Sequence, residues 1–304
     1  MFDKTLRIGT RDSQLALWQA QKVSDLLEDS HLKTQLVATK SDGDLNLNQP
    51  IYAMGIQGVF TKSLDIALLE NRIDLAVHSL KDVPTQLSDG LQLVAVLERG
   101  SALDVLVQNH KADLQKASTI ATGSLRRKAQ WLHRYPHHHV VNLRGNVQTR
   151  MDKLFSSDWE GAVFAKAGLE RVELLGSHFQ ELKWMIPAPA QGAIGVVCRA
   201  EDTELIELLK KINHQPTREC VDIERDFLRI LEGGCSAPIG AVAILVQDKI
   251  QFEGGVFSLD GQIAATTFKK VKMADGKDLA VQAAEEVLSK GGHQIITNIK
   301  YSKE

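Results

Sequence analysis

The chain has 304 residues, 43% of them hydrophobic, enough for two or three cored domains of roughly 100 to 150 residues each. Its 36 basic and 38 acidic side chains leave a net charge of -2, which argues against a non-specific nucleic-acid surface and requires any anion binding to be local. No charged-then-apolar leader precedes the first strand-like pattern, no run of about 18 apolar residues occurs, and Cys198, Cys220 and Cys235 lack metal-ligand spacing, so the expectation is a cytoplasmic protein with no membrane partner and no metal.

Strand-like and helix-like segments alternate from the start: strand Leu6–Thr10, helix Ser13–Leu27, strand Thr34–Thr39, helix Phe60–Asn71 and strand Asp74–Ser79, an α/β pattern. The helix after Gly58 sets Phe60, Leu64, Ala67 and Leu68 on one face by three-and-four spacing. Between them, residues 41–58 are polar and broken by Pro50, which reads equally as a lid or as a surface loop. A second unit of the same kind begins at Arg99, with strands Asp104–Val107, Thr119–Thr122, Val140–Leu143 and Ala162–Ala165 and helices over Ser124–Tyr135 and from Val147. After Pro238 come three strands joined at Gln247-Asp248 and Asp260-Gly261, a helix Lys277–Ser289 and a last strand Gln294–Ile299, a small α+β unit. The reading divides the chain into a first lobe (1–98 with 193–211), a second lobe (99–192) and a C-terminal α+β domain (215–304).

Hydroxyls and arginines gather where strands give way to helices. Thr10-Arg11-Asp12-Ser13 and Thr122-Gly123-Ser124-Leu125-Arg126-Arg127 both stand at predicted helix starts, where unpaired backbone N–H groups favour anions. Leu143-Arg144-Gly145-Asn146 repeats the arrangement at another strand end, with Arg150 six residues after Arg144. An arginine fork suits carboxylates because it makes paired hydrogen bonds and stays charged when partly desolvated. Serine and threonine are equally ordinary helix caps.

Asp82, in Val77-His78-Ser79-Leu80-Lys81-Asp82-Val83-Pro84, follows an apolar strand and is expected at its carboxyl end, where ligands of open α/β sheets sit. It is the candidate acid/base, the alternative being a structural ion pair with Lys81. His78 reads as a satisfied structural histidine, and Pro136-His137-His138-His139 as a solvated turn, since consecutive histidines cannot share one ion. Cys235 lies in Glu232-Gly233-Gly234-Cys235-Ser236-Ala237-Pro238, where glycines before and a proline after it disfavour regular structure and present the thiol, the bland alternative being a buried cysteine beside a turn. Cys198 and Cys220 read as packing residues.

Six motifs in one order then identify a family: 6–20, beginning Leu-Arg-Ile-Gly-Thr-Arg-Asp-Ser; Val-His-Ser-Leu-Lys-Asp-Val-Pro at 77–84; Gly-Ser-Leu-Arg-Arg at 123–127; Leu-Arg-Gly-Asn-Val at 143–147; Pro-Ala-Gln-Gly-Ala at 189–193; and Leu-Glu-Gly-Gly-Cys at 231–235. Together they closely resemble the porphobilinogen deaminase family. The resemblance implies two lobes like those of periplasmic solute-binding proteins, with mixed sheets, and a transferase of tetrapyrrole (heme) biosynthesis. Such an enzyme condenses four porphobilinogen molecules head to tail, releases ammonia and hydrolyses off hydroxymethylbilane. It further implies a dipyrromethane cofactor bound to Cys235 through a thioether, and Asp82 as the catalytic carboxylate. Arg11, Arg126, Arg127, Arg144, Arg150 and Arg171 would hold acetate and propionate groups, with Ser13, Gln19, Ser79, Lys81, Thr122, Ser124 and Gln191 assisting and Phe60 beside the cofactor. A monomer is expected.

Two departures stand out. Where members of the family carry lysines in the lid segment, this chain has Ala53 and Gln57, and the Arg-x-Asp-Pro-Arg-Asp hinge pattern reads Arg99-Gly100-Ser101-Ala102-Leu103-Asp104. Two rival classes are a two-lobed carboxylate-binding protein, which leaves the Gly-Gly-Cys loop unexplained, and an acyl transferase using Cys235, which requires a free thiol of low pKa.

Overall fold

The computed structural model describes residues 5–39, 61–109, 114–231 and 237–301. Strand β1 (Leu6–Arg11) leads into helix α1 (Gln14–Glu28), followed by β2 (Thr34–Thr39), α2 (Lys62–Leu69), β3 (Leu75–Ser79) and β4 (Leu91–Val96). The chain then crosses to β5 (Asp104–Gln108), β6 (Thr119–Ala121), α3 (Leu125–Arg134), β7 (His139–Val141), α4 (Val147–Phe155), β8 (Gly161–Ala165), α5 (Lys166–Arg171) and β9 (Phe179–Glu181). It returns in β10 (Ile194–Arg199) and α6 (Thr203–Leu209), and α7 (Gln215–Ile230) leads to β11 (Ile239–Val246), β12 (Lys249–Phe257), β13 (Ala264–Lys272), α8 (Leu279–Val287) and α9 (His293–Tyr301).

Two five-stranded sheets share one plan. The first runs β2-β1-β3-β10-β4 and the second β7-β6-β8-β5-β9; in each, three parallel strands meet an inserted antiparallel strand, β10 or β5. Both inserted strands belong to a crossover between the sheets. Antiparallel insertion brings the start of each to the carboxyl end of a parallel neighbour: Ile194 stands opposite Ser79, and Asp104 opposite Ala165. The residues at or just before these starts therefore reach the edge where ligands of open α/β sheets gather.

Apolar clusters cover both faces of the first sheet. Val23 and Leu27 of α1 pack with Ile8, Val77 and Val196 on one side; Leu64, Ala67 and Leu68 of α2 pack with Ala76, Leu80 and Val197 on the other. The 2.0 and 3.6 periodicities of strand and helix thus meet in one core. The third sheet is an antiparallel meander with α7, α8 and α9 against one face, where Phe227 meets Phe252 edge-on with ring centroids 5.1 Å apart.

The architecture is the expected one, two mixed α/β lobes and a small α+β unit, with one corrected element. Residues 294–299 form the helix α9 rather than a strand. Ile295 and Ile299, four apart, are both buried against the C-terminal core, a spacing that suits a helix face, whereas a six-residue apolar run by itself reads either way. The sequence reading also names no element at β4, β10 or α7. Helix α7 starts with Pro216 in its first turn and a His214 cap, and three-and-four spacing places Val221, Glu224 and Phe227 inside.

Glu224 ties the crossovers to the C-terminal unit. Fully buried, its carboxylate accepts two bonds from Arg99 (2.6 and 3.1 Å), one from the Ala190 amide (2.6 Å) and one from the Ala243 amide (2.7 Å). Arg99 also donates to the Gln191 carbonyl at 2.8 Å. The first hinge segment, the second hinge segment and β11 thus converge on one side chain. Removing one partner of such a pair leaves an uncompensated buried charge, so Arg99→Met should cost about 3–5 kcal/mol. Urea unfolding checks this, and an unchanged midpoint would show that the pair carries no stability.

Candidate functional site

The carboxyl ends of the parallel strands in both lobes carry the candidate residues. Arg11 ends β1, Ser79 ends β3, and Lys81 and Asp82 lie in the single 3-10 turn that follows. In the second lobe Thr122 follows β6, Ser124 caps α3, and Arg144 and Asn146 follow β7. Gly123 holds the two second-lobe loops together: a Cβ there would lie 2.4 Å from the Leu143 carbonyl oxygen, so only glycine permits the approach.

Several predicted hydroxyls work within the protein. Ser13 accepts from the Ala16 amide and Ser124 from the Arg127 amide, each at 3.4 Å, as helix caps. Thr122 accepts from the Ser124 amide (3.3 Å), and Ser79 is paired with the Gln19 side chain (2.9 Å), joining the end of β3 to α1.

Asp104 organises the second-lobe arginines. Wholly buried at the start of β5, it receives Arg126 at 2.7 Å, Arg127 at 2.8 Å and the Gln191 amide at 3.0 Å. Burial alone would raise its carboxyl, but Arg126 and then Arg127 outweigh that and hold it down at about 2. Arg126 donates further to the Ile186 carbonyl (2.7 Å) and Arg127 to the Val163 carbonyl (2.9 Å). Even so, the Arg126 Nε and the Gln191 side-chain oxygen are buried with no hydrogen-bond partner among the described residues.

Positive charge accumulates around this core and across the cleft. Burial lowers Arg150 to about 10, helped by Arg127, Arg144 and Arg11, with Asp82 opposing. Burial likewise lowers Lys81 to about 8, with Arg127 and Arg126 pressing the same way and Asp82 and Asp104 opposing. Arg11, Lys81 and Asp82 come from the first lobe; Asp104, Arg126, Arg127, Arg144 and Arg150 come from the second. Among the described residues of this coupled set, cations outnumber carboxylates. Such a surplus of like charge at low dielectric fits a ligand bearing several carboxylates.

Arg171 stands apart from that set. It lies on α5 beside the hinge, donates to the Gly192 carbonyl at 2.6 Å and sits 5.5 Å from the Trp18 ring of α1. Phe60, Cys235 and the 41–58 segment with Ala53 and Gln57 lie outside the described residues. Cys198 and Cys220 are buried, and burial pushes their thiols up to about 12 and about 11, which suits packing and not reaction.

Two histidine readings need correction. Pro136 and His137 form an exposed turn and His139 is exposed, as read, but His138 among them is buried in the second lobe, accepts from the Trp131 indole N–H through Nδ1 (3.2 Å) and bonds the Leu114 carbonyl through Nε2 (3.1 Å). Its aromatic neighbours Trp131 and Tyr135, on the same stretch of chain, draw it inward. His78 is buried on β3 but not satisfied, since its Nε2 has no hydrogen-bond partner among the described residues. Sequence reasoning also missed Glu224, whose only signal is its place on the apolar face of α7. Among the described residues no group of three or more His, Cys, Asp or Glu is placed to hold a metal ion, and no helix is long and apolar enough to cross a membrane.

Comparison with known proteins gives two family matches. Residues 6–207 match the model described as porphobilinogen deaminase, dipyromethane cofactor binding domain, and residues 218–289 match that of the porphobilinogen deaminase C-terminal domain. Similar solved structures include the periplasmic VFT2 domain of BvgS from Bordetella pertussis, at 13% identity and TM-score 0.42 over 68% of this chain and 86% of that one. Another is the second substrate binding domain of a putative amino acid ABC transporter from Streptococcus pneumoniae, at 10% identity and TM-score 0.44 over 68% and 91%.

Burial, then the nearby Arg11 charge, lowers His78 to about 4. A free histidine takes up its proton near pH 6.5, so between pH 6.5 and 4 the unfolded chain binds a proton that the folded chain refuses. Stability therefore falls as pH drops through that window, by on the order of 3 kcal/mol from this residue. Thermal unfolding of wild type and His78→Gln at several pH values checks it; equal pH dependence in the two would refute the assignment.

Proposed function

The chain belongs to the porphobilinogen deaminase family, and from that premise we propose that its cleft cations grip a covalently primed pyrrole chain while Asp82 serves the chemistry. The activity is the head-to-tail condensation of four porphobilinogen molecules on a dipyrromethane primer, with release of ammonia, to give hydroxymethylbilane for tetrapyrrole synthesis. The observation that carries the residue assignment is the gathering of cations from both lobes close enough to feel one another and Asp82. Each pyrrole brings an acetate and a propionate, so a two-ring primer offers four carboxylates to such a group of cations.

Bound dipyrromethane supplies a free pyrrole α-carbon as the point of chain growth. We assign Cys235 as its thioether anchor and Phe60 as an apolar neighbour. Arg11, Arg126, Arg127, Arg144 and Arg150 bind the side-chain carboxylates, with Lys81 as a sixth cation and with Ser13, Gln19, Ser79, Thr122, Ser124 and Gln191 shaping the strand ends around them. The orphaned Arg126 Nε supports this, since a bound carboxylate oxygen would accept its N–H. Asp82 Oδ atoms accept the pyrrole N–H groups, stabilise positive charge developing on the ring, and take the proton lost from the α-carbon. Arg171 we assign to the hinge instead, with its partner Gly192.

The sheet memberships support a division into a first lobe of 1–98 with 193–211, a second lobe of 99–192 and a C-terminal domain of 215–304. The oligomeric state is assigned as a monomer. The enzyme is assigned to the cytoplasm. A two-lobed carboxylate-binding protein without catalysis accounts for the arginines but gives Asp82 no task among them.

The deciding experiment is the intact mass of the denatured chain beside Cys235→Ser. The wild type should exceed its sequence mass by two porphobilinogen units less two ammonias, and the variant should not. A bare wild-type mass, unchanged after incubation with porphobilinogen, would overturn the anchor. A second prediction concerns pH. Lys81 is a cation below about 8 and loses its charge above it, while the substrate carboxylates stay ionised throughout. The KM for porphobilinogen should therefore rise as pH climbs through 8, and Lys81→Arg should flatten the rise; a profile the same in both enzymes would clear Lys81 of that role.

A further inference from the structure

A seam outside the cleft joins α3, the helix that begins with the cleft arginines, to the C-terminal domain. The turn between β12 and β13 docks on the side of α3. Gly261, at φ +74° in that turn, is buried so close to the helix that a Cβ would lie 2.5 Å from the His133 nitrogen, 2.6 Å from the Ala129 oxygen and 2.8 Å from the Leu132 carbonyl carbon. These are backbone atoms and cannot swing aside. His133 Nδ1 donates to the Gly261 carbonyl at 2.7 Å, and its ring meets Phe257 edge-on at 5.7 Å.

The seam continues toward the cofactor loop. The Gln130 amide clamps Ile186 at both its carbonyl (2.9 Å) and its N–H (2.7 Å), and Arg126 uses the same carbonyl. The next residue, Pro187, accepts from the Ala241 amide of β11 at 2.9 Å. Strand β11 begins four residues after Cys235. One contiguous set of contacts therefore runs from the turn through α3 and Ile186 to β11.

We infer that Gly261 is a positioning residue for the known reaction: its close approach fixes α3, and thereby sets Arg126 and Arg127 in register with Ile186 and β11. The inference rests on the reading that those arginines hold carboxylates. The contact with His133 lies about 9 Å along the helix axis from Arg127, at 1.5 Å per residue, so displacement at the seam is felt at the arginines. Beside the seam is a cavity of about 540 Å³, lined by Gln130, His133, Arg134, Trp184, Glu253 and Phe257 among others, into which a displaced helix has room to move.

Gly261→Ala, Gly261→Asn and the control Gly291→Ala separate this role from a merely structural one. Asparagine tolerates positive φ but not the clash, so it should fail as alanine does; rescue by Asn would mean that only the turn conformation matters. Gly291 also has positive φ, at +101°, yet nothing lies within 4 Å of its absent Cβ, so its alanine variant strains the same domain without touching α3. In cofactor-loaded enzyme, both Gly261 variants should raise the KM for porphobilinogen at least about fivefold with kcat held within about twofold, while Gly291→Ala loses thermal stability and keeps its KM. Hydrogen exchange of residues 125–134 should be faster in the Gly261 variants and unchanged in the control. Wild-type exchange across α3 in Gly261→Ala, or a KM shift shared with Gly291→Ala, would overturn the inference. If the wild type itself showed no deaminase activity, the functional reading would fall, and the exchange pattern would still decide whether the seam holds the helix.

Discussion

Two arginines sit side by side in a buried place only because Asp104 is there. Arg126 and Arg127 approach one carboxylate from α3, and that carboxylate is available at the cleft edge because β5 is inserted antiparallel and starts where β8 ends. A buried charge must be paired and hydrogen-bonded or it will neutralise. Asp104 meets that condition with a third donor, the Gln191 amide from the opposite crossover. The second-lobe half of the site is thus assembled by strand order: a parallel β5 would deliver Asp104 to the other end of the sheet.

What remains after that pairing is the useful part. Asp104 offsets one of the two charges it touches, and the cations Lys81 and Arg150 lie near enough to Asp82 and to the arginines of both lobes to feel their charge. Like charges held this close at low dielectric repel one another, a cost that carboxylate groups among them would lower. Arg99 with Glu224 binds both crossovers to the C-terminal unit.

Much of this was legible in the sequence because local signals and tertiary demands agree. Ser13 and Ser124 read as helix starts and are caps; Leu64, Ala67 and Leu68 read as one face and are buried together; Asp82 reads as a strand-end residue and stands one turn past β3. The failures fall where the deciding partner is distant in sequence. Ile295 and Ile299 form a helix because the C-terminal core offers a helix-shaped surface, a fact that no six-residue window contains. His138 is inside because Trp131 and the Leu114 carbonyl await it. Strand β10 was missed for a related reason: buried on both faces, it shows no alternation to mark it.

The strand order also constrains how the chain is built during translation. In the first sheet β4 is joined to the rest only through β10, so that sheet is incomplete until residue 199 has left the ribosome. The five strands of the second sheet all lie between residues 104 and 181. Domains fold as units when their last element emerges, so the lobe encoded second is the first to be finished, and the nascent first lobe waits with β3 and β4 unpaired along the edges that β10 will fill. A chaperone that shields exposed strand edges would have its task in that interval, well before the loop of Cys235 is synthesised.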